Sequence, residues 1–308
     1  MVKYSFVLPA YKARFFKEAL DSILNQTYKE FELVIVNDAS PEDLDSIVKS
    51  YDDSRIRYYV NEENIGGKDL VAQWNHCLEY ATGEFIILAS DDDVYHWEYL
   101  EKMDVLVRKY PEANVFRPRV QRINENRDII ELEGIIPEFT SLFEFLYYRF
   151  QNYVKSGIPL YLFKKKALLA NGGFVNYPLA WYADDAIVTI MGQNGIVSSS
   201  EILFYFRYSG ESITTKLNNA TTLRQKIDAT NQYYYWLEKF IMTINVENHY
   251  HKFYKNTLIN RISDKRKGDC YIWVCCSETL AIWKNLLFLI KGNNISVKSL
   301  LSLLYRRL

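Results

Sequence analysis

Between Tyr4 and Tyr110, short apolar runs and amphipathic stretches take turns four times. "YSFVLPAY" reads as a buried strand ended by Pro9, and "FFKEALDSILNQ" follows with apolar residues at helical spacing. "FELVIVNDAS" is a second strand closed by turn residues, and "PEDLDSIVKSY" is a helix. "IRYYVN" is a third strand, and "ENIGGKDLVAQWNHCLEYATG" opens as a Gly loop and continues as a helix. "EFIILAS" is the fourth strand, and "WEYLEKMDVLVRKY" is a helix stopped by Pro111. This alternation predicts an α/β fold with a mainly parallel central sheet and helices on both faces. Ligands of such sheets bind beyond the carboxyl ends of the strands. Three strands end there in polar groups: Pro9-Ala10-Tyr11, Asp38-Ala39-Ser40 and Ser90-Asp91-Asp92-Asp93.

Beyond residue 112 the alternation fails. "NVFRPRVQRINENRDIIELEG" predicts two antiparallel strands, "SLFEFLYYRFQNYV" an aromatic helix, and "IVSSSEILFYFRYS" strands. From Thr221 onward the pattern is helical. The domain reading is therefore 1–212, made of halves 1–111 and 112–212, followed by a helical C-terminal extension, 213–308. The extension carries 15 Lys and Arg against 6 Asp and Glu, whereas residues 1–212 carry 22 against 32. A basic tail on an acidic body suits either an anionic partner, such as a membrane surface, or a plain solvated helix face. Nothing points to nucleic acid. No run of 18 uncharged apolar residues is present, and the chain enters its first strand with no leader, so a cytoplasmic body is expected. Cys77, Cys270, Cys275 and Cys276 lack zinc spacing and read as free thiols.

Three adjacent aspartates at a strand mouth repel one another unless a cation lies between them. A divalent Mn2+ or Mg2+ carried with a diphosphate suits such carboxylates. Capping of the following helix is the competing reading. Asp184 and Asp185 in "WYADDAIVTIMGQNG" form a second acidic pair, read either as a helix start or as a base whose pKa is raised by its neighbour. No phosphate-loop motif of the Gly-Lys-Ser/Thr type occurs.

"FVLPAY", "VIVNDAS", "NEENIGG" and "ATGEFIILASDDD" stand in the order found in family-2 glycosyltransferases, and "WYADDAI" resembles that family's base segment. The resemblance covers roughly residues 1–212. It implies the A-type, Rossmann-like nucleotide-sugar fold and an inverting, metal-dependent transfer from a nucleotide sugar, UDP-linked, to a hydroxyl. Pro9, Ala10 and Tyr11 would line the base pocket, and Asp38 would accept from the base. Asn64, Gly66 and Gly67 would let the backbone pass close to the nucleotide, and Lys68 would stand in for a missing contact, because Trp74 precedes Asn75 where relatives carry Arg. The metal aspartate falls on Asp92, with Asp91 near the ribose or metal and Asp93 a second candidate; Asp91 and Asp93 alternatively form the Asp-X-Asp by themselves. Asp185 matches the base, with Asp184 beside it. Gly172, Gly173, Trp181 and Tyr182 would meet sugar or acceptor, and Arg207 the diphosphate.

The acceptor implied is a glycan or lipid-linked sugar in surface polysaccharide or lipopolysaccharide assembly. The terminal "LLSLLYRRL" suggests peripheral contact with the inner face of the cell membrane. Two rival readings are a sugar-nucleotide pyrophosphorylase, whose Gly-rich loop "PAYKARFF" lacks, and a catalytically inactive nucleotide-sugar binder.

Overall fold

The computed structural model describes residues 2–210, 217–291 and 295–306. The expected boundary at 212/213 and the last two residues of the terminal amphipathic stretch lie outside them. The chain divides into two units, residues 1–176 with 183–209, and residues 177–182 with 210–308.

The first unit is built on one mixed sheet. Its strands are β1 (Tyr4–Ala10), β2 (Phe31–Asn37), β3 (Ile56–Val60), β4 (Phe85–Leu88), β5 (Val94–Tyr95), β6 (Val115–Ile123), β7 (Ile129–Leu132), β8 (Phe139–Thr140), β9 (Leu162–Lys164) and β10 (Ile196–Arg207). The order is β3-β2-β1-β4-β9-β6-β10-β5, with β7 on β6 and β8 on β10. β1 runs parallel to β2 and to β4, so the carboxyl ends of all three open on the same edge. Nearly every residue of β1, β2 and β4 is buried, as expected of a parallel sheet covered on both faces.

The helices of this unit are α1 (Phe16–Leu24), α2 (Leu44–Lys49), α3 (Leu70–Leu78), α4 (Tyr99–Lys109), α5 (Leu142–Phe150), α6 (Lys165–Ala170) and α7 (Ala183–Met191). α1 buries Phe16, Ala19, Leu20, Ile23 and Leu24, the apolar positions whose spacing predicts it. Asp43 and Asp69 cap α2 and α3 by accepting from Ser46 N and Ala72 N. β9 enters antiparallel between β4 and β6, which makes the sheet mixed.

The second unit is helical: α8 (Ala220–Thr243), α9 (His249–Cys275), α10 (Thr279–Lys284), α11 (Leu286–Lys291) and α12 (Val297–Tyr305). Asn219 and Asn248 cap the two long helices. The start of α8 lies beside the end of α9, where Leu223 and Ile227 share a core with Cys270 and Val274. Ala281, Ile282, Leu289, Leu300 and Leu304 of the short helices complete that core. Among the described residues no helix is long and apolar enough to cross a membrane.

Candidate active site

The aspartate triplet does not cap a helix. β5 follows it directly, and α4 starts later behind Glu98, which makes no side-chain cap. Each carboxylate has its own setting. Asp91 Oδ2 accepts from the backbone N–H groups of Tyr11 (3.0 Å) and Lys12 (2.8 Å), which ties the loop to the end of β1. Asp93 is 2% exposed and turned inward; its Oδ1 accepts from Arg207 N (2.8 Å) and its Oδ2 from Ser90 Oγ. Asp92, half-buried, is the least enclosed of the three.

Burial pushes all three carboxyls above their ordinary range, Asp93 most, and the Asp92 charge adds to the rise at Asp91 and Asp93. The cations Lys12 and Arg207 pull Asp92 back down. Among the described residues no three His, Cys, Asp or Glu side chains converge as a metal cage. Mg2+ and Mn2+ in diphosphate sites take one or two carboxylates and complete their shell with phosphate oxygens. A half-buried carboxylate between two crowded neighbours fits an ion of that kind.

Arg207, at the end of β10, is 1% exposed and lies behind this loop. Its Nε donates to the Asp92 carbonyl (2.8 Å), its Nη1 donates to the Glu125 carbonyl (3.1 Å), and its guanidinium stacks 4.3 Å over Phe15. Nη2 approaches Glu18 at 2.6 Å, close enough for ion pairing but off the N–H direction.

The base pocket is expected around Asp38. Its amide donates to Ala10 O (3.0 Å), which joins β2 to β1. Its carboxylate accepts from Asn61 Nδ2 (2.8 Å), Ile65 N (2.9 Å) and Gly66 N (2.7 Å), and so shapes the loop that carries Asn64, Gly66 and Gly67. A Cβ on Gly66 would come within 2.8 Å of Asp38 Oδ2, so the close approach requires glycine. Gly67 N donates to Asn64 Oδ1, and Lys68 pairs with Glu63 at 2.6 Å. Ser40 Oγ donates to Tyr11 O (2.6 Å), while the Tyr11 side chain stays exposed next to Pro9 and Ala10. The three polar strand ends thus meet at one edge.

Asp184 and Asp185 occupy the first turn of α7. Arg149 of α5 donates from Nε and Nη2 to the two Asp185 oxygens, at 2.8 and 2.9 Å, and from Nη1 to Val154 O. Burial, then the Asp185 charge, raises Asp184 to about 6, while Ser156 and Arg149 oppose the rise. The pair therefore combines one carboxylate bound by a cation with one inclined to take up a proton.

Gly172 and Gly173 both sit at φ +83°. A Cβ on Gly173 would lie 2.3 Å from Asn75 Oδ1. That Asn75 oxygen accepts from Phe174 N (2.8 Å), and Asn75 Nδ2 donates to Phe174 O (3.1 Å). Trp74, just before Asn75, packs edge-on against Phe174 at 5.8 Å. Neither Arg149 nor Asn75 is singled out by the sequence; the one available signal for Asn75 is its place next to the departing Trp74.

Trp181 and Tyr182 belong to the second unit. Trp181 meets Trp273 edge-on at 5.0 Å, with Lys226 Nζ 4.1 Å from its ring. Tyr182 stacks on Tyr233 at 4.7 Å and donates to Asp269 Oδ2 (3.0 Å). Leu179, Ala180 and Tyr182 all hold positive φ, a costly conformation for residues with a Cβ.

The model for "Glycosyl transferase family 2" matches residues 5–165. A Campylobacter jejuni protein named GalNAc(5)-diNAcBac-PP-undecaprenol beta-1,3-glucosyltransferase is 34% identical over 96 residues, 30% of this chain and 30% of its own. Matches to curated relatives span 15–39% of those relatives' lengths. Among solved structures, S. aureus TarS 1–349 in complex with UDP-GlcNAc superimposes with TM-score 0.67 at 17% identity, covering 99% of this chain and 92% of that one. The mannosyltransferase PcManGT from Pyrobaculum calidifontis, solved with GDP-Man and Mn2+, gives TM-score 0.55 at 14% identity, covering 96% and 81%. At these identities the two structures share the fold.

Proposed function

The chain belongs to glycosyl transferase family 2, and on that premise we propose that it moves a sugar from a UDP-linked donor to a hydroxyl of a glycan or lipid-linked acceptor, inverting the anomeric centre in one displacement. The observation that carries this reading is the separation of roles within the triplet. Asp91 and Asp93 are fixed by backbone N–H groups, and Asp92 is left the least enclosed where the strand ends converge.

Tyr11 offers its exposed ring to the base beside Pro9 and Ala10. Asp38 holds the Asn64–Gly67 loop and keeps acceptor capacity for a base N–H. Lys68, paired with Glu63 here, would turn to an anionic donor group. Asp92, with Asp91 beside it, would hold Mn2+ or Mg2+; such an ion neutralises the charge of a departing diphosphate. Asp93 and Arg207 keep that loop in place. The acceptor proton goes to the Asp184–Asp185 pair. Asp185 matches the family's base by position, and Asp184 has the environment that favours proton uptake near neutral pH. Gly172, open where a Cβ would stand, would give the sugar and acceptor a side-chain-free approach, Gly173 lets Asn75 close up beside it, and Trp181 and Tyr182 would meet the acceptor from the segment that precedes the base in the sequence.

A lipid-linked acceptor is supported by the name of the Campylobacter relative, which carries an undecaprenol diphosphate. Peripheral attachment at the cytoplasmic face of a membrane belongs to the same reading. The test is calorimetric titration of UDP with and without Mn2+, on the unaltered chain and on Asp92→Ala. Binding that strengthens with Mn2+, and loses that gain in Asp92→Ala, is expected. Absence of UDP binding by folded protein under either condition refutes the uridine reading.

A further inference from the structure

Among the described residues, the short C-terminal helices carry two exposed apolar stripes. Leu280, Trp283 and Leu287 recur at i, i+3 and i+7, and all three are exposed, Trp283 by 50% and Leu287 by 69%. The hydrogen bonds from Asn285 N to Ala281 O (3.2 Å) and from Leu289 N to Asn285 O (2.9 Å) carry the helical repeat from α10 into α11. On α12, Val297, Leu301 and Tyr305 recur at i, i+4 and i+8, again exposed, Tyr305 by 82%. These helices already bury an apolar face, through Ala281, Ile282, Leu289, Leu300 and Leu304. The outer stripes are therefore surplus to the core. Apolar surface gathered in this way marks an interaction site.

The charge around the stripes selects the partner. From Glu278 to Arg306 there is one acid, Glu278, against Lys284, Lys291, Lys298 and Arg306, and those four cations are all exposed. A second copy of the same face would set these cations against themselves, since a two-fold interface pairs one patch with itself. Trp and Leu flanked by Lys and Arg are the side chains of a helix lying in a bilayer interface, where the apolar face enters the acyl boundary and the cations meet anionic headgroups.

We propose that α10, α11 and α12 form a docking face for an anionic lipid surface, on which the chain lies without crossing. This deepens the lipid-linked acceptor reading and rests on it for its purpose, though not for its test. Such a face brings the enzyme to acceptors that stay in the membrane.

The experiment is flotation of the full chain with vesicles of phosphatidylcholine, alone or mixed with phosphatidylglycerol. UDP binding of each preparation is measured alongside. Binding is expected on the mixed vesicles only, and it weakens as salt is added. Trp283→Ser with Leu287→Ser lowers the partition coefficient by about tenfold or more. Lys284→Gln with Lys291→Gln lowers it by about tenfold on the mixed vesicles. All these changes are at the surface, so circular dichroism and UDP binding stay unaltered. No flotation on mixed vesicles by protein that still binds UDP overturns the docking face and leaves the transferase reading in place. Flotation that survives both double variants also overturns it. A dimer seen by light scattering and dissolved by Trp283→Ser, with no vesicle binding, assigns the face to a second copy instead. Flotation without UDP binding supports the docking face and counts against the nucleotide reading alone.

Discussion

Arg149 holds both oxygens of Asp185, at 2.8 and 2.9 Å, one residue away from a carboxyl that burial raises to about 6. Asp184 binds its proton more tightly folded than unfolded, so a base of the proposed kind would work above its folded value and be lost below it. The plot of kcat/KM against pH should rise through about 6 on the acid side. The same shift makes folding stability fall as pH climbs from the ordinary 3.8 to about 6, because the native state holds the extra proton. Asp184→Asn should erase the limb near 6. A limb near 6 that persists in folded Asp184→Asn would sink this assignment.

Arg149→Gln should be harmful in two separable ways. Breaking an ion pair this enclosed leaves a carboxylate without its counter-charge, at a cost of about 3 kcal/mol. Calorimetry should show a clearly lower Tm. Arg149 also lowers Asp184, so its loss should move the acid limb of the pH profile upward. An unchanged limb in folded Arg149→Gln would falsify the electrostatic part of this account.

The first half of the fold is legible because parallel strands buried on both faces leave continuous apolar runs, as in "FVLPA" and "LVIV", and their helices carry a 3.6 period. β9 has three residues, too few for any period, and its place between β4 and β6 comes from pairing that no local pattern encodes. β10 runs as one strand through the polar Ser198-Ser199-Ser200, where its register on β6 shifts. The acids are visible by type. Their supports are not: Arg207 draws notice only as a diphosphate contact, and Arg149, Arg207 and Asn75 reach partners 36, 114 and 99 residues away.

Gly173→Ala should cripple turnover while sparing nucleotide affinity. The added Cβ would meet Asn75 Oδ1 at 2.3 Å, and the backbone stands at φ +83°. Either the Asn75–Phe174 pairing breaks or the glycine turn shifts. Asn75→Ala should give the same phenotype by a different route, since it removes both partners of Phe174 at about 1–3 kcal/mol for each group left unpaired. A fall in kcat with unchanged UDP titration is the expected result for both. Weakened UDP binding instead would move this loop to the nucleotide.

Arg207→Met separates two roles that the sequence alone cannot tell apart. The guanidinium is buried, donating to the carbonyls of Asp92 and Glu125 and packed on Phe15. In that setting the proposed role is indirect: it would act on the donor through the aspartate loop. Removing it frees the loop, leaves Glu18 and Asp92 with less counter-charge, and costs about 3 kcal/mol or more in stability. UDP titrated without metal should then bind as before, because the Asp38 side of the cleft is untouched. The gain conferred by Mn2+ should shrink by about tenfold or more, since Asp92 no longer has a fixed carbonyl behind it. A guanidinium that touched the diphosphate directly would give a different pattern, with equal losses of UDP affinity in the presence and absence of metal. Arg207→Lys should resemble Arg207→Met, because an ammonium cannot span the Asp92 and Glu125 carbonyls as the guanidinium fork does.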